Sequence, residues 1–243
     1  RWKTRVLEVQ KMESRRMKKI ISIMMLMIIS LSVHANDIYI NQSGATLDLD
    51  ITQDGNNNTV GNSTTASSVI GATTNLAITQ IGDSNVMTFD VNGATYTGTF
   101  SVTGNSNNID FNCDSQGTNS SCGTATASIV WVGSSSDIDI DIGETASATG
   151  ATVSITGASG SDSNTILGTI DGNSAILTLS VNGDTNNFLI DIDGNGDSVG
   201  HTYIHSHTGS IADVDITQSG IYDNMITLTT SGDNHDIDII QRD

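Results

Sequence analysis

The segment Gly82–Gly104 reads GDSNVMTFDVNGATYTGTFSVTG, two units of eleven residues that each begin at a glycine. The same step recurs elsewhere in the chain, between Gly44 and Gly55, Gly71 and Gly82, Gly172 and Gly183, Gly183 and Gly194, and Gly209 and Gly220. A short fixed period is typical of stacked structural repeats rather than of a globular core with a cleft.

Each unit predicts one strand followed by one bend. Alternate positions after the glycine carry the residues expected to point inward, which are Asn85, Met87, Phe89 and Val91 in one unit and Asn186, Phe188, Ile190 and Ile192 in another. Period two is typical of a strand with one buried face, and Gly, Asn, Asp and Ser between strands favour positive φ angles. The absence of proline fits strands that use every backbone N–H. We therefore predict an all-β fold, a β-solenoid of about 11-residue strand-turn units with two strands per turn of about 22 residues, and about eighteen strands in about nine turns.

Residues 17–35 have the pattern of a secretory signal peptide. Met17-Lys-Lys is followed by the apolar stretch IISIMMLMIISLSV and by the small-residue cleavage pattern Val33-His34-Ala35. The apolar stretch is short for a membrane span. We predict that residues 1–16 are an upstream extension, that residues 17–35 are removed, and that residues 36–243 form a repeat domain. This domain is expected to be secreted, extracellular or at the cell surface, without membrane insertion.

The predicted mature region is strongly acidic. Residues 36–243 contain 25 acidic side chains and one basic side chain, Arg242, which gives a formal net charge of −24. This charge repels phosphate backbones and anionic lipids, so nucleic acids are not expected as partners. Acidic chains with few aromatic residues can also be disordered, but the regular alternation of β-branched residues favours a folded solenoid.

Glutamine and asparagine flank the glycines of several units. Gln lies two residues before the glycine and Asn three after it in ITQDGNNN (51–58) and ITQIGDSN (78–85), and Ile216–Asn224 is a version one residue longer. By parity these amides point inward, where stacked amides can hydrogen-bond in ladders. The predicted ladder and bend residues are Gln42, Gln53, Asn58, Gln80, Asn85, Asn186, Gln218, Asn224 and Gln241, with Gly44, Gly55, Gly82, Gly93, Gly183 and Gly220.

These units resemble the curlin repeats of bacterial curli fibres, whose pattern is Gln-x-Gly-x-x-Asn followed by alternating small or apolar residues and another Gln. The resemblance covers Tyr39–Val60, Leu76–Val91 and Val214–Gln241. In the middle of the chain Thr156, Asn182 and Asp193 stand at or near the glutamine position. The resemblance implies a secreted β-solenoid that polymerises with copies of itself into amyloid fibres for biofilm and adhesion, served by a curli-type secretion channel and a nucleator. The chain departs from the family in its longer insertions and in lacking a glycine-rich export segment before the first strand.

Three segments interrupt the glycine period and are predicted to be loops between turns, namely Gly61–Val69, Cys113–Cys122 and Gly143–Gly160. In an exported chain Cys113 and Cys122 are expected to form a disulfide bond. Two free thiols on a loop are the alternative.

Two segments carry side chains of the types that bind metal ions. Asp191, Asp193, Asn195 and Asp197 imitate the first half of a calcium loop, but Thr202 stands where such a loop needs a bidentate Glu, and an ordinary acidic turn is the alternative. His201, Tyr203, His205 and His207 share one parity, so one face carries three imidazoles. We predict no resident cofactor or defined metal site, with weakly bound calcium as the one possible ligand.

The sequence predicts a structural protein rather than an enzyme. It contains no Gly-x-Ser-x-Gly elbow, P-loop or His-Glu-x-x-His motif. We predict a self-assembling subunit of an extracellular fibre. The alternative is a monomeric surface-binding solenoid of the adhesin or ice-binding type, which needs a flat, regular outer face. The threonines of Ile226–Thr230 do not recur on every rung, which argues against that alternative.

Overall fold

The computed structural model describes residues 37–55, 57–61, 66–113, 123–143, 150–172, 174–193, 201–220 and 224–242. The predicted leader segments 1–16 and 17–35 lie outside these ranges, as do Cys122, Asn195 and Asp197. Within the described ranges all regular structure is β-strand, and no helix there has the length and apolarity to cross a membrane.

The described residues form seventeen strands that belong to one sheet system. In chain order they are β1 (Asp37–Ile38), β2 (Asn41–Asp54), β3 (Thr59–Val60), β4 (Ser67–Ile81), β5 (Val86–Asn92), β6 (Thr95–Thr103), β7 (Asn108–Cys113), β8 (Thr124–Val132), β9 (Asp137–Ile142), β10 (Gly150–Gly157), β11 (Thr165–Asp171), β12 (Ile176–Asn182), β13 (Asn187–Asp193), β14 (Thr202–Thr208), β15 (Asp213–Ser219), β16 (Met225–Ser231) and β17 (Asp236–Arg242).

Each strand pairs in parallel with the strand two places along the chain, so the strands form two stacks. We call the stack of odd-numbered strands the odd face and the stack of even-numbered strands the even face. The long strand β4 bends from one face to the other, since Ser67–Ile70 pair with β5 and Thr73–Ile81 pair with β6. β2 lies in register with β4 along both segments. The predicted β-solenoid with two strands per turn is confirmed.

The turns vary in length because insertions lie in the corners. Val86 pairs with Asn108 across a turn that has no insertion, whereas Asn108 pairs with Asp137 across a longer turn that contains one. Extra residues are tolerated between strands because an insertion within a strand would turn every following side chain to the other face.

The prediction of a loop over the whole of Gly143–Gly160 is wrong. Gly150–Gly157 forms strand β10, which pairs with β8 and β12. Its inward residues are Ala151, Val153, Ile155 and Gly157. Gly157 has no side chain because the buried indole of Trp131 fills the neighbouring space, and a Cβ there would lie less than 3.0 Å from that ring. The predicted loop Gly61–Val69 is likewise shortened, since its last three residues begin β4.

The core is the narrow space between the two faces, filled by the alternate residues of every strand. Met87, Phe89, Phe188 and Ile190 are at most 1% exposed, which confirms the predicted parity of those units. Burying each large apolar side chain contributes about 1.5–3 kcal/mol, so this filling is the main stabilising contribution.

The corner glycines lie directly over one another. A Cβ on Gly104 would lie less than 3.0 Å from the carbonyl oxygen of Gly82, and a Cβ on Gly93 equally close to that of Gly71. A Cβ on Gly183 would meet the carbonyl oxygen of Ser161 in the same way. The glycine period therefore reflects close stacking of bare backbone as well as backbone conformation.

Polar ladders and candidate assembly surfaces

Each corner that follows an even strand contains the same four-residue bend. The first residue is usually a glycine, with φ of 131° at Gly55 and 137° at Gly82. The third residue has φ between 56° and 63°, and this position is occupied by Asn57, Ser84, Ser106, Ser135, Ser163, Thr185, Ile211 and Asn234. The positive φ angles expected after the glycines are thus present, and the fourth residue of the bend is turned inward.

The inward residues of these bends form what we call the inner amide column, made of Asn58, Asn85, Asn107, Ser136, Asn164 and Asn186. The backbone N–H of Asn58 donates to Oδ1 of Asn85 at 3.1 Å, and that of Asn85 donates to Oδ1 of Asn107 at 3.0 Å. Nδ2 of Asn85 donates to the carbonyl of Gly82 at 2.6 Å. Asn107 and Asn164 were missed by the sequence analysis, although Asn107 lies three residues after Gly104 and carries the same signal.

A second column runs along the outside of the same corner. It uses the residue directly after each glycine position, and we call it the outer corner column, made of Asp83, Asn105, Ser134, Asp162, Asp184 and Ser210. Here the backbone N–H of Asn105 donates to Oδ1 of Asp83 at 2.9 Å, and that of Ser134 donates to Oδ1 of Asn105 at 2.7 Å. In the outer corner column each N–H donates to the preceding turn, whereas in the inner amide column each N–H donates to the following turn. Hydrogen bonds therefore join neighbouring turns on both sides of the bend.

Replacing Asn85 by alanine is expected to lower the free energy of unfolding by about 2–4 kcal/mol, because the buried N–H of Asn58 and the carbonyl of Gly82 both lose their partner. Asn105→Ala is the matched control, since water can replace the exposed side chain, and less than about 1 kcal/mol is expected. Urea unfolding of both variants measures the difference. Equal losses would contradict a special role for the inner column.

The predicted glutamine ladder consists of two separate ladders on different faces. Nε2 of Gln80 donates to Oε1 of Gln53 at 2.8 Å on the even face. Nε2 of Gln241 donates to Oε1 of Gln218 at 3.1 Å on the odd face. Gln42, half-buried, belongs to the odd face and pairs in register with Val69.

The residues that replace glutamine in the middle of the molecule differ from those expected. Thr156, Asn182 and Asp193 have outward parity, one residue away from the inward position. The inward position is apolar or small, and on the even face it is filled by Val102, Trp131, Gly157 and Val181. Among the described residues glutamine is therefore confined to the first two and the last two turns of the solenoid.

Asn224 lies outside the inner amide column. Its Oδ1 is 2.9 Å from Nδ1 of His201, whose Nε2 is 3.1 Å from the carbonyl of Gly172. Asn224 therefore hydrogen-bonds between neighbouring turns at the corners that follow odd strands, on the opposite edge of the solenoid.

The histidines of β14 point into the core, as the shared parity indicates. His205 and His207 are each 1% exposed, and Nδ1 of His205 is 2.9 Å from the hydroxyl of Tyr203. The ring of Phe188 packs edge-on against both imidazoles, with its centroid 4.6 Å from that of His205. Burial lowers the pKa of His205 to about 3, with His207 adding to the effect. Burial also lowers the pKa of His207, although its hydrogen bond to the carbonyl of Gly183 opposes this shift.

His205→Leu is expected to make the solenoid less sensitive to acid. The folded pKa of His205 lies below its unfolded value, so its contribution to stability is present above about pH 6.5 and is lost as the pH falls toward 3. The loss for the parent amounts to about 2–3 kcal/mol between pH 7 and pH 4.5. Leu179 and Leu228 are the register neighbours, so leucine continues an existing apolar column.

The measurement is the free energy of unfolding of parent and variant at both pH values. Only the change between the two pH values counts, because the variant also leaves the Tyr203 hydroxyl without its partner. If the free energies of unfolding of parent and variant fall by the same amount between the two pH values, His205 does not cause the acid sensitivity.

The candidate calcium residues fall partly outside the described ranges. Asp191 and Asp193 lie at exposed positions of β13, where Ser219 Oγ donates to Oδ1 of Asp193 at 2.8 Å. Burial and the charge of Asp193 raise the pKa of the Asp191 carboxyl. No group of three or more His, Cys, Asp or Glu side chains arranged for a metal ion occurs in the described part of the chain.

Cys113 ends β7 and is fully buried and disulfide-bonded. Its predicted partner, Cys122, lies outside the described residues.

The last turn of the described solenoid has an exposed sheet edge. β17 pairs with β15 and with no other described strand, and every residue of β17 is exposed. Ile239 is 45% exposed, whereas Ile216, its register partner in β15, is 1% exposed. At the other end, β1 pairs with β3 alone among the described strands. As far as the described residues show, both ends thus present unpaired backbone and partly exposed apolar side chains.

The outer surface of the even face is neutral and rich in hydroxyl groups. Its outward positions from Thr73 to Ser231 contain no charged residue. One column across the strands is Thr52, Thr79, Ser101, Val130, Thr156, Ser180, Ser206 and Thr229. Threonine itself does not recur on every turn, as expected, since Ile204 stands beside Thr227 and Val130 and several serines stand in the column of Thr229.

No protein-family model matches the chain, and neither a curated protein nor a solved structure matches it. The curlin resemblance therefore stays a prediction from the repeat residues.

Proposed function

We propose that the protein is a self-assembling subunit of a secreted extracellular fibre, in which copies join end to end through their terminal turns. The observation that carries this proposal is the exposed edge of β17, where the Gln218–Gln241 ladder reaches a strand that pairs with β15 on one side and with no described strand on the other. An open edge with alternating isoleucines is a template for pairing with another chain.

Natural solenoids that remain monomeric protect such edges with proline, lysine, a bulge or a covering segment. In β17 the inward positions are Ile237, Ile239 and Gln241, and Arg242 is the one charged residue at its end that could oppose an acidic partner. The acidic outer positions of the odd face, such as Asp139 and Asp141, keep lateral contacts through that face unfavourable. End-to-end growth is the contact that the open strand edges support.

Electron microscopy and sedimentation of the purified chain over a concentration series test the proposal. Fibres whose width equals one solenoid, and which appear above a threshold concentration, are the expected result. A protein that stays monomeric at high concentration would overturn the proposal.

Assembly is expected to accelerate with ionic strength. The register places Asp110 beside Asp139, and Asp171 beside Asp193, on neighbouring turns of the odd face. Docking adds similar pairs between copies, and salt screens such repulsion over about 10 Å at 0.1 M. Light scattering across a sodium chloride series, repeated with calcium at equal ionic strength, separates screening from specific cation binding. A rate that does not depend on salt would contradict this expectation.

A second candidate function is supported by the hydroxyl columns of the even face. A flat parallel sheet repeats these groups about every 4.8 Å across the strands and about every 7 Å along them, which suits an ordered, uncharged surface such as ice. Thr99→Glu and Thr178→Glu at the outward positions of this face would abolish such binding, whereas Asp215→Asn on the odd face would not. Ice-recrystallisation assays of the monomer provide the measurement, and inactivity of the parent excludes this candidate.

A further inference from the structure

The described solenoid does not contain a whole number of turns. Its first turn begins with the odd-face segments β1 and Asn41–Gly44, and its last strand, β17, also lies on the odd face. The odd face therefore has nine strands and the even face eight. Consequently the two faces do not end at the same height along the axis.

This half turn constrains how a second copy can dock. In a copy of the same orientation, β1 would pair with β17, but Thr46–Asp54 of that copy would stand two strand spacings above β16. With strands about 4.8 Å apart, the gap on the even face would be the width of one missing strand. The free N–H and C=O groups of β16 would remain unpaired.

We propose that successive copies in the fibre are related by a half turn about the solenoid axis, so that the odd face of each copy continues as the even face of the next. This inference rests on the proposed fibre function. In this arrangement β1 and Asn41–Gly44 of the incoming copy pair with β16, and Thr46–Asp54 pair with β17. Every strand of both terminal turns then has a partner.

The side chains match in this register. Setting Gly44 over Gly232 places Ile38 over Ile226 and Ile40 over Leu228, and all four of these apolar side chains are half-buried at inward positions. On the other face, Gln53 over Gln241 places Ile51 over Ile239 and Leu49 over Ile237. The inward and outward parities agree along both strands.

The charges are complementary at one position of this register. Asp54 of the incoming copy comes to lie over Arg242, the one basic residue in residues 37–243. This single opposite-charge pair offsets part of the repulsion at two other positions, where Asp48 lies over Asp236 and Asp50 lies over Asp238. An acidic end thus meets a basic residue at the same corner of the interface.

The glutamine ladders join across the interface. Gln218 and Gln241 of one copy would continue into Gln53 and Gln80 of the next, which makes a ladder of four amides from two existing pairs. A copy in the same orientation would instead place Gln42 over Gln241, so amide pairing occurs in both arrangements. The strand count decides between them.

Cysteine pairs introduced at exposed outward positions distinguish the two arrangements. Asn41→Cys combined with Thr229→Cys brings the two sulfurs onto adjacent strands of neighbouring copies only after a half turn. Asn41→Cys combined with Ile240→Cys does so only in the same orientation. Adjacent strands place Cα atoms within the range that a disulfide spans, and within one copy both pairs lie at opposite ends of the solenoid.

The full chain carrying each pair is assembled, mildly oxidised and examined by non-reducing electrophoresis. A ladder of covalent oligomers from the Asn41→Cys/Thr229→Cys variant, with at least tenfold less from the Asn41→Cys/Ile240→Cys variant, is expected. Fibres that are cross-linked only by the latter pair, or by neither, would overturn the half turn while leaving the fibre function intact. A chain that forms no fibres at all would overturn the fibre function itself.

Discussion

Replacing Ile239 by proline is expected to stop fibre elongation while leaving the solenoid folded. The N–H of Asp236 donates to the carbonyl of Ala212, and alternate residues of a parallel strand face the same side. Asp238 and Ile240 therefore face β15, whereas Ile239 faces the free edge. Proline at 239 removes a donor that only an incoming copy would use, and its ring obstructs the approach of that copy.

An elongation rate at least about tenfold lower is expected, since one lost hydrogen bond of about 1.4 kcal/mol already corresponds to that factor. Ile239→Val is the control, because it keeps the N–H and most of the side chain. Circular dichroism establishes that both variants are folded, and seeded growth on parent fibres gives the rates. Elongation of the proline variant at the parent's rate would exclude this edge as the growing end.

Gly104→Ala is expected to destabilise the solenoid through two separate costs. Gly104 has φ of 139°, and a Cβ there would lie less than 3.0 Å from the carbonyl oxygen of Gly82. Backbone strain of this kind costs about 1–3 kcal/mol, and forcing apart a packed neighbour costs about 1–3 kcal/mol more. The free energy of unfolding should therefore fall by the sum of the two costs.

Gly55→Ala separates the two costs. Gly55 has φ of 131°, close to that of Gly104, but a Cβ there would meet no atom within 4 Å. Only the conformational cost of about 1–3 kcal/mol is expected for this control. Urea unfolding of both variants gives the difference, and identical losses would show that the stacking of the glycines contributes nothing.

The strand pattern was predictable because it is local. Met87, Phe89 and Phe188 alternate with polar residues, and the pleat of a strand converts that alternation directly into burial. The positive φ angles after the glycines are equally local. The inner amide column was predicted in part, since Asn58, Asn85 and Asn186 follow the glycine by three residues, whereas at Asn164 the glycine is replaced by Ser161.

The arrangement of units between turns was not predictable from one sequence. The insertions differ in length from corner to corner. The eleven-residue glycine period therefore does not predict on which face of the solenoid a unit lies. Gln53 and Gln218 thus occupy equivalent places in the repeat but lie on opposite faces. Strand β10 escaped prediction because Ala151 and Gly157 are small, and the absence of a side chain at Gly157 is explained only by the indole of Trp131 in register beside it.

In the proposed fibre, the glutamines of the two turns at each end would disfavour the docking of a misaligned copy. Between isoleucine columns alone, a partner displaced by two residues along the strand would still bury apolar surface. With Gln241 at the edge, the same slip sets an amide against an aliphatic side chain, and an unpaired buried amide costs about 1–3 kcal/mol. A copy docked in the wrong register would then dissociate about ten times faster or more, before the next copy arrives. Fibre growth would therefore select copies in the correct register.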